Sequence, residues 1–297
     1  IDFVTHVGDF GYADDRLDTK DFESIWNSWQ NEVQPIASTK GYMVCPGNHE
    51  ASCHSFGDWF CPKQLDNFTA YNYRFRMPAL ESGSGTNMWH SFDYGNAHII
   101  MIDTETDLPH APEGPKTIFK AGNFGNQLAW LQADLNKAVA QRAQRPWIFV
   151  MGHRPLYSSV KVGLEKIIWP NVTQALQAAI EDMLHAAKVD LYIGAHVHGY
   201  ERTLPVLHNK TTSAGYDNPP SLAALTVGMA GNMEGHQGQT HWLPWRPLWL
   251  ANRDGEHFGH CELSVTNATH ASWEFFSADT GAVLDSFTLV REHAHGY

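Results

Sequence analysis

The sequence predicts a single α/β domain over residues 1–297, on three observations. Short apolar strands alternate with amphipathic helices through the first two thirds of the chain. Four of those strands end in glycine followed by polar, metal-capable side chains, and the last third reads as antiparallel strands. The first strand is Phe3 to Val7, running into a Gly/Asp loop. Phe22, Ile25, Trp26, Trp29, Val33 and Ile36 then recur at helical spacing, giving a helix with one apolar face. Tyr42 to Cys45 is the next strand, closed by Pro46-Gly47. Trp89 to Tyr94 and Ala97 to Asp103 read as two strands joined by a tight turn at Gly95-Asn96. Leu128, Leu131, Leu135 and Val139 mark a second helix, and Trp147 to Met151 a third buried strand. Leu176, Ile180, Met183, Leu184 and Ala187 mark a third helix, followed by the strand Leu191 to Ile193. Beyond about Ser221 the helical period fades. Cys261 to Thr266, Ser272 to Ser277 and Val283 to Leu289 read as strands, the last two joined through Asp279-Thr280-Gly281. No linker or internal repeat divides the chain.

Composition narrows the function classes. A net charge of −12, from 32 acidic and 20 basic residues, repels the phosphates of nucleic acids and argues against binding them. A small phosphorylated substrate stays open, because cations inside a site outweigh the global field. No apolar run approaches the ~20 residues of a membrane span. Four Asn-x-Ser/Thr sequons, at Asn67, Asn171, Asn209 and Asn267, favour a secretory route with N-linked glycan. None of the four cysteines forms a C-x-x-C pair. Cys53 and Cys61 flank a short loop that a disulfide would close in an oxidising compartment, while Cys45 ends a strand and reads as a buried free thiol. The protein is therefore expected to be secreted, extracellular or vacuolar. The chain opens inside an apolar run, Ile1-Asp2-Phe3-Val4, which reads as a cut with more protein upstream.

The chemistry lies in four segments with one grammar. They are Val7-Gly8-Asp9-Phe10-Gly11-Tyr12, Pro46-Gly47-Asn48-His49-Glu50, Met151-Gly152-His153-Arg154 and Gly194-Ala195-His196-Val197-His198. Singly, each admits a structural role: Asp9 as a turn cap, Tyr12 as a core aromatic, Asn48 as a turn former, His153 as a buried histidine. Together they place carboxylate, phenol, amide and imidazole donors at strand ends, where ligands bind in α/β sheets. His196 and His198, two apart, point the same way. That donor set suits paired first-row metals, and two ions ~3.5–4 Å apart can clamp a phosphate ester and activate water. No G-x-S-x-G elbow or strand-end cysteine supports a nucleophilic serine or cysteine alternative.

The blocks G-D-x-x-Y, G-N-H-E, V-x-x-H (Val150 to His153) and H-x-H resemble those of the purple acid phosphatases, within the calcineurin-like metallophosphoesterases. The tyrosine is the informative member. Phe75-Arg-Met-Pro and Asp103-Thr-Glu-Thr-Asp look like fungal-type members. The resemblance implies a β-sandwich flanked by helices, with a bimetal site at the carboxyl ends of the strands. It implies Asp9 bridging the metals, Tyr12 and His198 on Fe(III), and Asn48, His153 and His196 on a divalent ion (Zn, Mn or Fe). His49 would contact the phosphate or protonate the leaving oxygen while a metal-bound hydroxide attacks phosphorus. Three departures stand out. The family's first block, which gives a further aspartate to the ferric site, would lie upstream of Asp9, in a segment expected in the natural protein. Pro155-Leu-Tyr-Ser-Ser replaces the adjacent histidine pair of plant members, and Gly-Ala-His-Val-His replaces Gly-His-x-His. The expected reaction is hydrolysis of phosphate monoesters. A phosphodiester or nucleotide-pyrophosphate hydrolase on the same site, and a non-catalytic glycoprotein scaffold keeping the fold, are the alternatives. No separate N-terminal β domain is represented in these residues.

Overall fold

The computed structural model describes residues 1–15, 21–53, 61–160, 172–237 and 243–292. Seven strands form a mixed central sheet: β3 (His90–Tyr94), β4 (Ala97–Ile102), β5 (Trp147–Gly152), β6 (Leu191–Gly194), β7 (Tyr200–Thr203), β10 (Ala223–Val227) and β11 (Leu250–Asp254). Their order is β11-β7-β10-β6-β5-β4-β3. The inner strands β4, β5, β6 and β10 run parallel, with antiparallel neighbours outside them. Every residue of β4, β5 and β6 is buried, which explains why they read as continuous apolar runs.

Alternate side chains feed two cores. Ile100, Ile102, Ile148, Val150 and Tyr192 face Leu131 and Leu135 of the helix Gln127–Ala140 and the helical stretch from Val172 to Ala186. Ile99, Met101, Phe149, Met151 and Ile193 face the other way. There they meet two further sheets: the parallel pair β1 (Phe3–Val7) and β2 (Gly41–Cys45), and the meander β12 (Gly259–Val265), β13 (His270–Ser277) and β14 (Val283–Val290). The result is a sheet-on-sheet core with helices outside. Each large apolar side chain buried in it contributes about 1.5–3 kcal/mol. Helix α1 (Phe22–Ala37) covers β1 and β2 through a third cluster containing Trp26, Phe10 and Tyr71.

Several expectations change in detail. The third helix is not uniformly α. It consists of Val172–Leu176, a wide π turn at Gln177–Glu181 and Asp182–Ala186. The wide turn carries Glu181 into the interior, where it accepts from the Tyr157 hydroxyl and the His208 N–H. Of the apolar face expected for α1, Trp26 is fully buried, whereas Ile36 in the last turn is 49% exposed. Strands β7, β10 and β11 were not among the expected elements. Tyr200–Thr203 alternates too briefly, and Ala223–Val227 is covered on both faces and so shows no period of two. Two short strands, β8 (Val206–Leu207) and β9 (Lys210–Thr211), form a separate hairpin.

Cys53 and Cys61 form a disulfide, with Cα atoms 5.4 Å apart, and Cys45 is a buried free thiol. Asn67, Asn209 and Asn267 are exposed, and Asn171 lies outside the described residues. Among the described residues no helix is long and apolar enough to cross a membrane.

His98 on β4 carries a pH-dependent tie. Its Nδ1 lies 2.7 Å from Asp93 and its Nε2 3.0 Å from Asp134 on the covering helix, so an imidazolium satisfies both carboxylates. Burial alone would lower its pKa, but the hydrogen bonds to Asp134 and Asp93 outweigh it and the net shift is upward. A raised folded-state pKa stabilises below the unfolded value of about 6.5, and that contribution disappears as pH climbs through the folded value. Thermal unfolding of wild type and His98→Gln should therefore differ most at pH 5–6, with the gap shrinking above neutrality. A gap that is constant across that range would show that His98 is uncharged in the fold.

Candidate metal centre

Strands β1 and β2 pair in parallel with Val7 opposite Cys45, so the loops that follow leave the sheet side by side. Gly8 has φ +86°, and a Cβ there would sit 2.5 Å from the Gly47 nitrogen and 2.7 Å from His153 Nδ1. A Cβ on Gly47 would come within 2.2 Å of Asp9 Oδ1. Glycine at both places is what lets the loops touch. Glu50 then ties them together. Its Oε2 accepts from the N–H groups of Asp9 and Gly47, both at 2.8 Å, and its Oε1 from Phe10 at 3.0 Å. Burial and the neighbouring Asp9 raise its pKa to about 7. Asp9, Tyr12 and His196 all have φ between 51° and 61°, a left-handed conformation that side-chain-bearing residues adopt at a cost and that gathers at functional sites.

His153 is the hub. Its Nδ1–H donates to the Val7 carbonyl at 2.7 Å, so Nε2 faces the site. Around that nitrogen lie Asp9 Oδ2 at 2.9 Å, Asn48 Oδ1 at 3.0 Å and His196 Nδ1 at 3.2 Å. The second Asp9 oxygen accepts the His49 N–H at 3.0 Å. Beside this group the Tyr12 hydroxyl donates to His198 Nε2 at 3.2 Å, and His198 Nδ1–H donates to the Gly235 carbonyl at 3.1 Å. The six side chains read as ligands in the sequence thus lie in one site, in the segments that follow β1, β2, β5 and β6, with Asn48 opening the short helix Asn48–Ala51.

The electrostatics are those of a cation site. A carboxylate, an amide oxygen and imidazole nitrogens crowd one point, and too few protons are available for every lone pair to find a donor. Burial would raise the Asp9 pKa, but His153 and His49 hold it well below the usual carboxylate range. Burial lowers His153, and the charge and hydrogen bond of Asp9 outweigh it and raise it. Burial, then Asp9 and Glu234, push the Tyr12 phenol well above its ordinary value, so a phenolate at this position needs a cation beside it. The donors present fit a pair of metal ions: one among Asp9, Asn48, His153 and His196, the other at Tyr12 and His198.

His49 stands at the mouth. Its Nδ1 lies 3.0 and 3.1 Å from the two oxygens of buried Asp14 and 3.3 Å from Asp15. Its ring packs 4.2 Å from that of Tyr12, and Glu234, half-exposed, approaches its Nε2 at 4.0 Å. Burial acts to lower its pKa, but Asp9 and the hydrogen bonds that His49 donates to Asp14 and Asp15 raise it well above 6.5. Sequence reasoning gave no role to Glu50, Asp14, Asp15 or Glu234. For Glu50 and Asp14 a signal existed, since both sit inside or directly beside a ligand block. Glu234 comes from a loop with no such mark.

A calcineurin-like phosphoesterase family model matches residues 1–200. The chain belongs to that family. Residues 223–286, which include β10, β11, β12 and β13, match the model for iron/zinc purple acid phosphatase-like protein C. An acid phosphatase A of Cryphonectria parasitica is 34% identical over 100% of this chain and 63% of its own length. An acid phosphatase of Aspergillus ficuum is also 34% identical, over 91% of this chain and 52% of its own length. The chain therefore spans roughly half to two thirds of these relatives. The purple acid phosphatase isolated from yellow lupin seeds superposes with a TM-score of 0.75 at 23% identity, over 99% of this chain and 47% of that one, and so shares its fold.

The Glu50 tie is measurable. Glu50→Ala strands three backbone N–H groups, and at about 1–3 kcal/mol for each buried orphan the variant should lose at least ~3 kcal/mol in denaturant unfolding. Glu50→Gln, whose amide oxygen still accepts, should lose clearly less. Equal losses would mean that the carboxylate acts by its charge.

Proposed function

We propose that this chain hydrolyses phosphate monoesters with an Fe(III) ion at Tyr12 and His198 and a divalent ion (Zn, Mn or Fe) at Asn48, His153 and His196, Asp9 bridging the two. The observation that carries the reading is the ring of donors at 2.9–3.2 Å about His153 Nε2, with the Tyr12–His198 pair beside it. The family match and the acid phosphatase relatives support it. Such a metal pair supplies positive charge for the phosphate oxygens and makes a nucleophile of water at neutral or acid pH.

The remaining work falls to the chain's own side chains. Asp9 Oδ2 faces His153 and Oδ1 accepts the His49 N–H, and in this reading Asp9 would hold both ions. The Val7 and Gly235 carbonyls fix the tautomers of His153 and His198, so that each offers Nε2. His49, kept protonated and aimed by Asp14 and Asp15, is the proton donor to the departing alkoxide. Asp14 is a positioning residue. It holds Nδ1–H and leaves Nε2 directed at the mouth. Secretion and N-linked glycan on at least one of Asn67, Asn171, Asn209 and Asn267 belong to the same proposal, supported by the disulfide.

Two measurements test the reading. The native holoprotein should show a visible tyrosinate-to-iron absorption band that Tyr12→Phe abolishes while the fold survives; a variant that keeps its colour removes Tyr12 from the ligand set. His49→Asn should lower kcat on a monoester by about 10²–10⁴ with metal content unchanged. Unaltered kcat would leave proton donation to water, and a diester or pyrophosphate turned over faster than any monoester would reassign the substrate class.

A further inference from the structure

A polar cluster joins the central sheet to the meander, set among apolar side chains. Tyr200 and Arg202, alternate residues of β7, reach across to Asp285 on β14. The Tyr200 hydroxyl donates to Asp285 Oδ2 at 2.7 Å, and Arg202 holds both carboxylate oxygens, Nε–H to Oδ2 at 2.6 Å and Nη2–H to Oδ1 at 2.8 Å. Trp273 of β13 donates its Nε1–H to the Tyr200 hydroxyl at 3.1 Å, and Phe275 stacks on the Tyr200 ring at 4.6 Å. The guanidinium lies 5.0 Å over the Phe287 ring, and its Nη1 donates to the Tyr216 hydroxyl at 2.5 Å. Burial would raise the Asp285 pKa, but the hydrogen bonds from Arg202 and Tyr200 outweigh it and keep the group an anion. The strand is bent to deliver this carboxylate. Asp285 lies opposite Phe275, yet the next residue, Phe276, is opposite Val283, a bulge that turns both Leu284 and Asp285 toward the core.

What the cluster holds is the start of β7. Gly199 alone separates the anchored Tyr200 from His198. The turn between β6 and β7, which carries His196 and His198, has little slack. Gly228, just past β10, donates its N–H to the Gly199 carbonyl at 3.2 Å, and a Cβ on Gly228 would sit 1.9 Å from the Val197 oxygen. The His198 carbonyl accepts the Gln237 N–H at 3.0 Å. We propose that Asp285 is a positioning residue for His198: by gripping Tyr200 and Arg202 from the meander it fixes where β7 begins, and with it the contact of His198 with Tyr12. Apolar contact between sheets is non-directional, whereas a bidentate guanidinium–carboxylate pair adds a fixed geometry. Asp9, Asn48 and His153 are delivered by other strands. Residues 223–286, which supply none of the six candidate ligands, thereby gain a hold on the site. The consequence for iron rests on the two-metal reading proposed above; the placement of His198 against Tyr12 does not.

Proton NOEs between the Tyr12 and His198 rings of the metal-free chain read this placement without activity; the hydroxyl and Nε2 lie 3.2 Å apart. The test variant is Arg202→Met/Asp285→Leu, in which apolar side chains replace the ion pair, an exchange that buried pairs often tolerate. Leu289→Ala, on the same strand and in the same core, controls for general loosening. The NOEs should persist in wild type and Leu289→Ala and weaken or vanish in the double variant. Loaded with metal, the double variant should bind iron about tenfold more weakly and show a displaced tyrosinate band. A folded double variant with wild-type NOEs and an unmoved band overturns the proposal, and so does a Leu289→Ala chain that loses them equally. If the double variant does not fold, Asp285→Asn decides, since it keeps the shape but sets an NH₂ group against the guanidinium: undiminished NOEs there overturn the proposal. A set of chains that shows the expected NOE pattern while wild type takes up no iron refutes the two-metal reading and leaves the role of Asp285 standing.

Discussion

A carboxylate oxygen, an amide oxygen and a second imidazole nitrogen are held 2.9–3.2 Å from His153 Nε2, and the molecule is arranged to keep them there. Left in water these groups would each find donors; brought together they share too few protons and create a demand for positive charge. Two parallel strands in register, two glycines with no room for a methyl group and one buried glutamate receiving three backbone N–H groups supply the constraint. The left-handed backbone at Asp9, Tyr12 and His196 is part of the same cost, offset by the sheet core beneath.

Around this demand the chain places charges in graded positions. Asp14 and Asp15 lie against His49 Nδ1 and, with Asp9, favour its charged form. Carbonyls back His153 and His198, while a guanidinium backs His196. The three histidines share a residue type and a location at strand ends, yet two have a carbonyl on the outer nitrogen and the third a guanidinium. The surface tells little of this. The chain carries a net charge of −12, and the crowded carboxylate, amide and imidazole atoms of the site add a local demand for positive charge.

The family match and the fold agree with the acid phosphatase relatives, but a shared fold does not by itself assign a reaction. What distinguishes this chain's site from the fold in general is the convergence of particular side chains. Tyr12 is the most telling of them, since burial and nearby carboxylates oppose a phenolate there unless a strongly charged ion is present.

The layout of strands and helices was legible along the chain because β4, β5 and β6 are apolar throughout and the helix Gln127–Ala140 keeps a helical period. The candidate ligands were legible too, because each follows a strand-ending glycine and a parallel sheet delivers such loops to one edge. Other features depend on contacts between residues far apart in sequence. The short strand Ala223–Val227 becomes a sheet member only by lying between β6 and β7. The π turn at Gln177–Glu181 answers to Tyr157 and His208, which no local pattern announces. Arg154 reads as an ordinary basic residue after His153; only packing against Glu105, 49 positions earlier, and His196, 42 positions later, makes it a buried, ion-paired neighbour of the site. Residue type and spacing decided which atoms reach the site, and tertiary contacts decided the protons and charges they carry there, because a lone pair or an N–H acquires its meaning from the partner it faces.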